Sequence, residues 1–336
     1  MPAARYTRSG GTGAQVADQV ADDRVLDLFL DGHTIVLQGL HRLWPPLIDF
    51  AGTLTSDLGH PVQVNAYITP GSSQGFSAHY DVHDVFVLQV AGEKRWRVHE
   101  PVHAAPLRDQ PWTDRRDDVR ARAQEPPVVD EVLRPGDALY LPRGYLHAAQ
   151  ALGGVSCHLT VGVHPVTRHA VLEALMAVVA DDPALRASLP LGVDVSDPAS
   201  VEADVRATVE ALTARLGTVS AADVSQRLAR RLVGSNRPAP VPPLAQAAAY
   251  HSLTAESQLS ARPFQRHVLG TDDDALMLRL SDRTVRLPLA GEKAVRALLD
   301  GERLRVGDLP GLDGADAMSL ARTLVREAVV VVHSRP

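Results

Sequence analysis

The spacing of apolar residues predicts that the N-terminal part of the chain contains irregular structure, helices and a strand. Residues 1–20 are polar and rich in glycine, and they predict an irregular lead-in. A helix is predicted at Val25–Leu30 and a strand at His33–Gln38. An amphipathic helix is predicted at Trp44–Leu58, because a pair of prolines opens it and apolar residues then recur at helical spacing.

Short apolar runs separated by glycine and proline turns dominate up to about residue 165, a pattern typical of a mainly β barrel. Within it, Val85–Val90 and Arg95–His99 are predicted to form a hairpin that turns at Ala91 and Gly92. The charged segment 109–125 is predicted to be a solvated surface loop or helix. Contact with a substrate over the barrel mouth is left as the alternative for this segment.

From Arg168 onward the period of the apolar residues becomes helical, which predicts helices at 171–180, Val201–Leu216 and Ala221–Leu232. Their apolar faces predict burial on the barrel or on a second subunit. A proline-rich linker ends at Val241–Pro243.

The remaining tail alternates strands with helices. Strands are predicted at Ala275–Leu280, Thr284–Leu287 and Ala328–His333, and helices at Glu292–Leu299 and Ala315–Arg326. The chain is thus expected to consist of a barrel with N-terminal helices (1–165), a helical segment (166–240) and a small α+β module (241–336). A length of 336 residues fits two or three domains.

Composition narrows the functional classes. A single cysteine, Cys157, excludes an intramolecular disulfide and favours a reducing, cytoplasmic location. A basic leader and an apolar run of about 18 residues are both missing from the sequence, so neither export nor a membrane span is expected. The net charge of −6 predicts no direct binding of nucleic acid.

Two histidines and an aspartate carry the candidate chemistry. His79 and Asp81 stand two residues apart, and His147 follows 68 residues after His79. Residues i and i+2 of a strand face the same side, so the pair would point into the barrel. Two imidazoles and one carboxylate form the facial triad of non-haem Fe(II) oxygenases, which leaves metal positions open. His83, four residues after His79, is the alternative third ligand, although three ligands in a row on one strand could not easily surround one side of an ion.

Lys94 is the second informative position. The chain has 34 lysines and arginines, of which only Lys94 and Lys293 are lysines. Lys94 lies 15 residues after His79, and a hairpin in this region would return it toward the metal. Its ammonium could then pair with the far carboxylate of a dicarboxylate that chelates the iron. A solvated turn lysine is the alternative interpretation.

Three sequence blocks resemble the Jumonji-C, cupin-like 2-oxoglutarate oxygenases, and among them the ribosomal oxygenases. They are residues 65–81, 86–98 and 139–149, and the resemblance extends over roughly residues 33–165. Relatives often have further chain upstream of this region, so either the start is truncated or the barrel is shorter.

The resemblance implies a role for particular residues. His79, Asp81 and His147 would ligate iron, and Lys94 would hold the 5-carboxylate of 2-oxoglutarate. The residues implied to line the co-substrate pocket are Asn65, Tyr67 and, as a weaker match, Thr160.

The resemblance also implies a fold and a function. The expected fold is a mainly β double-stranded β-helix (the cupin or JmjC barrel), followed by a helical dimerisation segment and a winged-helix-like module. The expected function is Fe(II)- and 2-oxoglutarate-dependent hydroxylation of a protein side chain, with a ribosomal protein as the implied substrate and a homodimer as the assembly. From Arg262 onward the tail carries 12 basic against 11 acidic residues, which favours a structural role for it.

Two alternatives remain at this stage. One is an oxygenase that acts on a small molecule or on a methylated residue with the same site. The other is a non-catalytic metal-binding cupin scaffold. Lys94 distinguishes an oxygenase from a scaffold, because a scaffold has no need of a lysine facing the metal.

Overall fold

The computed structural model describes residues 3–10, 16–71, 73, 75–232 and 237–333. The chain clusters into two compact units, Met1–Pro165 and Val166–Pro336. The finer division of the second unit into a helical segment and a separate module stays a prediction.

The first unit opens with paired strands where the sequence predicted irregular chain. Strand β1 (Thr7–Gly10) pairs antiparallel with β2 (Val16–Val20), and helix α1 (Asp22–Leu30) follows. The prediction of an irregular lead-in was therefore wrong for these strands, while residues 11–15 lie outside the described residues. The polar composition concealed the pairing, because two solvated strands need no apolar alternation.

The first unit continues with a central antiparallel sheet and two helices. The elements are β3 (Ile35–Leu37), α2 (Pro45–Leu58), β4 (Val62–Thr69), β5 (Asp84–His99), α3 (Arg116–Arg122), β6 (Val129–Leu133), β7 (Ala138–Leu141) and β8 (Leu146–Val163). The strands of the sheet are ordered β3-β4-β8-β5-β6, with β7 paired to β5. Within the described residues the pairing path has two ends, at β3 and β6, so the hydrogen bonding does not run around a closed ring.

The predicted hairpin at 85–99 is instead one long strand, β5, which pairs with β8 along its whole length. The register shifts near Ala91, and Gly92 has a φ of +63°. A Cβ at Gly92 would lie 2.2 Å from the carbonyl oxygen of Val155, so the two backbones approach too closely there for another residue. The Ala-Gly signal marks an irregularity in the ladder rather than a turn, a common use of glycine in strands.

Alternation along β4 separates the core from the site. Val62 and Val64 are buried with Leu47 of α2 and with Val161 of β8. The side chains at the alternate positions of β4 point to the opposite face, because successive side chains of a strand alternate. Tyr67 belongs to that opposite face and lines a cavity.

The second unit begins with helices α4 (Arg168–Val179), α5 (Pro198–Leu216) and α6 (Ala221–Leu232). Beyond residue 237 follow α7 (Pro243–His251), β9 (Gln258–Ala261), β10 (His267–Asp272), β11 (Ala275–Leu280), β12 (Thr284–Pro288), α8 (Glu292–Leu299), β13 (Leu304–Arg305), α9 (Gly314–Arg326) and β14 (Val330–His333). Two three-stranded sheets, β10-β11-β12 and β13-β9-β14, share one apolar core with α8 and α9.

The sequence located β11 and α8 correctly but missed α7. Pro243, predicted to end a linker, is the first residue of that helix. Proline is well suited to this position because its missing N–H would have no partner in the first turn. None of the described helices is long and apolar enough to cross a membrane.

Candidate active site

The triad and Lys94 line a common cavity of about 350 Å³ in the first unit. Its wall combines a few polar groups with apolar side chains, the usual composition of a small-ligand pocket. The apolar part of the wall is formed by Val85, Val87, Trp96 and Leu141. The loop before β5 supplies the other side, including Gly75, Phe76, Ser77, His79 and Asp81.

Backbone pairing brings the two triad histidines together. His79 and His147 form an isolated antiparallel bridge, in which His147 N donates to His79 O at 2.8 Å and His79 N to His147 O at 3.2 Å. The backbone N–H of Gly144 donates to Asp81 O, which extends the same alignment. His147 is the second residue of β8. The ligand-bearing segment 79–81 therefore lies next to the start of β8, although it is not part of a named strand.

Ligand atoms of His79, Asp81 and His147 all lie within 4.8 Å of one another. His147 Nε2 is 3.7 Å from Asp81 Oδ2, and the two imidazole centroids are 4.4 Å apart. His147 is buried, with 7% of its surface exposed, while His79 and Asp81 are half-buried. The cluster is thus accessible from one side, which suits a centre that must admit reactants.

Hydrogen bonds to backbone carbonyls orient both imidazoles. His79 Nδ1 donates to Ser77 O at 2.8 Å, and His147 Nδ1 donates to Tyr145 O at 3.2 Å. With the proton held on Nδ1, each Nε2 lone pair is free to bind a metal, and such partners are typical of metal-ligating histidines. Burial, followed by the charge of His79, lowers the pKa of His147 to about 4, so its ring is neutral at pH 7. The donor set therefore fits a divalent iron ion.

The alternative ligand His83 points elsewhere. Its ring stacks on His164, with centroids 4.6 Å apart and planes 8° apart, and Gln63 Nε2 lies 3.5 Å from its Nε2. The ring fills the space beside Gly162, where a Cβ would come within 2.6 Å of it. His83 is not part of the ligand cluster found among the described residues.

Lys94 is almost completely buried, with 2% of its surface exposed. Its ammonium donates to Thr69 Oγ1 at 2.9 Å and lies 3.3 Å from His158 Nδ1. Burial lowers its pKa to about 8. The solvated-lysine interpretation is excluded by this position.

The surroundings of Lys94 fit a carboxylate. The ion pairs found among the described residues include none at Lys94. A Cβ at Gly75 would stand 4.0 Å from the Lys94 nitrogen, 3.9 Å from Thr69 Oγ1 and 3.5 Å from Thr34 Oγ1. Because Gly75 has no side chain, the space beside these three polar groups stays open to a ligand.

The remaining predicted pocket residues divide into two groups. Tyr67 and Thr160 line the cavity. Asn65 is not among the lining residues, and its side-chain oxygen accepts a hydrogen bond from Gly39 N at 2.9 Å.

Trp112 was missed by the sequence analysis. It belongs to the charged segment 109–125, lines the cavity and lies with its ring centroid 6.3 Å from that of His79. Val119 of the same segment is buried in an apolar cluster with Tyr80 and Leu146. The large apolar side chains of Trp112 and Val119 were the available signal. The predicted solvated loop or helix does contain a helix, Arg116–Arg122, but at Trp112 the position against the cavity fits the alternative, a segment over the barrel mouth.

Comparison with known proteins finds one domain family for the region that contains this site. Residues 49–171 match the family model of the JmjC domain. The chain is 42% identical over 137 residues to the bifunctional lysine-specific demethylase and histidyl-hydroxylase NO66 of Drosophila erecta, which covers 39% of this chain and 20% of that protein. It is 33% identical over 228 residues to ribosomal oxygenase 1 of Rattus norvegicus, covering 62% of this chain and 37% of that protein. The chain therefore spans well under half the length of these two relatives.

Solved structures support the fold over most of the chain. The X-ray structure of Escherichia coli ycfD superposes with a TM-score of 0.53 at 18% identity, covering 89% of this chain and 79% of that one. A crystal structure described as the Escherichia coli ribosomal oxygenase YcfD superposes with a TM-score of 0.51 at 17% identity, covering 89% and 78%. The β-rich first unit has a fold of the JmjC or cupin type. Residues 49–171 are thus similar to the JmjC domain, the family that the three sequence blocks resemble.

Proposed function

We propose that this protein is an Fe(II)- and 2-oxoglutarate-dependent dioxygenase that hydroxylates a protein side chain. The observation that carries the proposal is the shared cavity, in which the triad of His79, Asp81 and His147 faces the same space as the buried ammonium of Lys94. YcfD, which has the same fold, was solved in complex with cobalt and succinic acid. Succinate is the product that such a reaction forms from 2-oxoglutarate.

The protein's own groups would bind, orient and keep out water. His79, Asp81 and His147 would hold iron on one side and leave other positions open. Lys94, whose ammonium is held by Thr69, would bind the far carboxylate of the co-substrate, and Val85 and Val87 would keep the adjacent wall dry. When bound, iron and 2-oxoglutarate supply the oxidation: O2 and 2-oxoglutarate give succinate and CO2 while one oxygen atom enters a substrate C–H bond.

Turnover of the co-substrate tests this function. We expect the purified protein with Fe(II), ascorbate and 2-oxoglutarate to form succinate, and the rate to rise when the correct protein substrate is added. A protein that binds a divalent metal yet never forms succinate would instead be a cupin scaffold, the second class considered from the sequence.

A ribosomal protein is the proposed substrate, on the strength of the names of the relatives. Mass spectrometry of ribosomal proteins from a strain lacking this protein should reveal one species lighter by one oxygen atom. One relative is also named a lysine-specific demethylase. A species that instead retains an extra methyl group in that strain would assign demethylation.

We also propose a homodimer formed through the helical segment 166–240. Several large apolar residues of α4 and α5 are exposed, namely Val171, Leu172, Met176, Val205, Val209 and Leu216. A closed two-fold interface would bury such a surface on both copies.

We further propose that residues 241–336 form a winged-helix-like module with a structural role, without direct binding of nucleic acid. The proposed location of the protein is the cytoplasm.

Light scattering at micromolar concentration measures the assembly directly. We expect a mass of about twice the 36.1 kDa of one chain. Val205→Glu, which places a charge in the exposed apolar row of α5, should lower the measured mass to that of the monomer. A wild-type mass of one chain would contradict the dimer.

A further inference from the structure

His158 occupies a position in the cavity that the proposed reaction has not yet used. It is 4% exposed and lies on β8 directly opposite Tyr67 of β4. Its imidazole stacks on the Tyr67 ring, with centroids 5.0 Å apart and planes 5° apart. Trp96 meets it edge to face at 5.3 Å. Two aromatic neighbours at right angles to one another fix the plane of this imidazole.

The protonation state of His158 follows from its partner. A lysine ammonium can only donate hydrogen bonds, so His158 Nδ1 accepts from Lys94 Nζ and the ring proton resides on Nε2. Burial, then the charges of Lys94 and His147, lower the pKa of His158 to about 3. The ring is therefore a neutral acceptor throughout the range in which an enzyme of this kind would work.

The hydrogen bonds of the Lys94 ammonium indicate a function for the imidazole of His158. An ammonium has three N–H groups, of which one is directed to Thr69 Oγ1 and one to His158 Nδ1. Thr69 Oγ1 is itself 3.1 Å from Thr34 Oγ1. Among the described residues no partner is found for the third N–H, and the space beside Gly75 lies next to the same nitrogen, where a ligand could accept from it.

We propose that His158 is a positioning residue for the co-substrate: with Thr69 it fixes two ammonium hydrogens of Lys94 and thereby directs the third toward the incoming carboxylate. This inference rests on the proposed function, since it takes 2-oxoglutarate as the ligand of Lys94. His158 acts through Lys94, so its loss should weaken binding of the co-substrate more than it slows turnover.

Two substitutions separate the hydrogen bond of His158 from its stacking. His158→Phe keeps an aromatic ring against Tyr67 and Trp96 but removes the acceptor. His158→Asn loses the stack but can place its side-chain oxygen near the position of Nδ1. His164→Phe is the matched control, because it also replaces a histidine near the end of β8 while keeping a ring against His83.

The first measurement is 2-oxoglutarate binding by calorimetry on the metal-loaded protein, together with KM and kcat. His158→Phe should weaken binding about 10-fold, equivalent to about 1.4 kcal/mol, and raise KM alike with kcat little changed. His158→Asn should lie closer to the wild type than His158→Phe, and His164→Phe should match the wild type. Equal losses in the Phe and Asn variants, or no loss in either, would overturn the proposal.

The second measurement does not depend on catalysis. The chain has two lysines, so protein labelled with ¹³C at lysine Cε gives two signals, and Lys94→Arg identifies the one from Lys94. The hydrogen bond to His158 stabilises the charged form of Lys94, so the pKa of Lys94 should be lower in His158→Phe than in the wild type. The other titratable group that interacts with Lys94 is Cys157, which is present in all variants.

The two measurements distinguish failure of this inference from failure of the proposed function. A wild-type protein that does not bind 2-oxoglutarate contradicts the function, while the lysine titration still reports whether His158 bonds to Lys94. An unchanged Lys94 titration in His158→Phe overturns the inference even if the protein turns over 2-oxoglutarate normally. If His158→Phe fails to fold, the proposal is tested with His158→Asn and with the titration of Lys94 in the wild type, measured with and without 2-oxoglutarate. A Lys94 pKa that does not change when 2-oxoglutarate is added contradicts the contact between Lys94 and the carboxylate.

Discussion

Alanine at His79 or Asp81 is expected to abolish 2-oxoglutarate turnover, because either change leaves two of the three groups that would hold the iron. Loss of an outer partner of a metal ligand costs roughly 10- to 100-fold in metal affinity, so loss of a ligand itself should exceed about 100-fold. Fe(II) binding measured anaerobically by calorimetry gives the affinity, and succinate formation gives the activity.

The fold should survive both changes. His79 and Asp81 are half-buried and lie outside the apolar clusters that hold the sheet, so their removal creates no large core cavity. The midpoint of thermal unfolding, measured without metal, should therefore stay close to that of the wild type. A large fall in this midpoint would mean that lost activity reflects unfolding.

His83→Ala is the matched control for the metal site, because it removes a histidine four positions after His79 whose ring stacks on His164. We expect this variant to retain metal binding, and His147→Ala to lose it. The opposite pattern, with metal lost in His83→Ala and kept in His147→Ala, would assign the third ligand to His83 instead.

The local motifs could be predicted from sequence because they depend on residue identity and short spacing. His79 and Asp81 two residues apart indicated that their side chains would lie close together, although the segment that carries them is not part of a named strand. The block around His147 supplied the third member of the cluster. The carbonyl partners of the two imidazoles, Ser77 O and Tyr145 O, could not be predicted, since a backbone oxygen carries no sequence signal.

Longer-range features were harder to predict. Lys94 does reach the cavity, but along one continuous strand rather than around a hairpin. Glycine at position 92 is compatible with a turn and with a close approach of two strands, and only the pairing with β8 distinguishes them. Trp112 posed a similar problem, because the charges around it predict a solvated surface while its own ring lies against the site.

Lys94→Ala is expected to weaken 2-oxoglutarate binding strongly and to leave iron affinity nearly unchanged. Removing one partner of a buried charge pair costs about 2 to 5 kcal/mol, which is roughly a 30-fold or greater rise in the dissociation constant. KM for 2-oxoglutarate and its calorimetric affinity both measure this effect. Lys293→Ala, which removes the second lysine of the chain from the exposed side of α8, is the matched control and should behave as the wild type.

A smaller substitution tests the same subsite by filling it. Gly75→Ala would place a methyl group in ordinary contact distance of the Lys94 nitrogen and both threonine hydroxyls, so the protein should fold while the carboxylate loses its space. Gly270→Ala, whose methyl group would meet nothing within 4 Å, controls for the change of residue type. If both Lys94→Ala and Gly75→Ala bound 2-oxoglutarate normally, the carboxylate would have to bind elsewhere, and Arg97 and Arg143 would be the next candidates. Neither arginine is among the residues that line the cavity, and Arg97 is exposed, so the geometry favours Lys94 as the group that fixes the co-substrate.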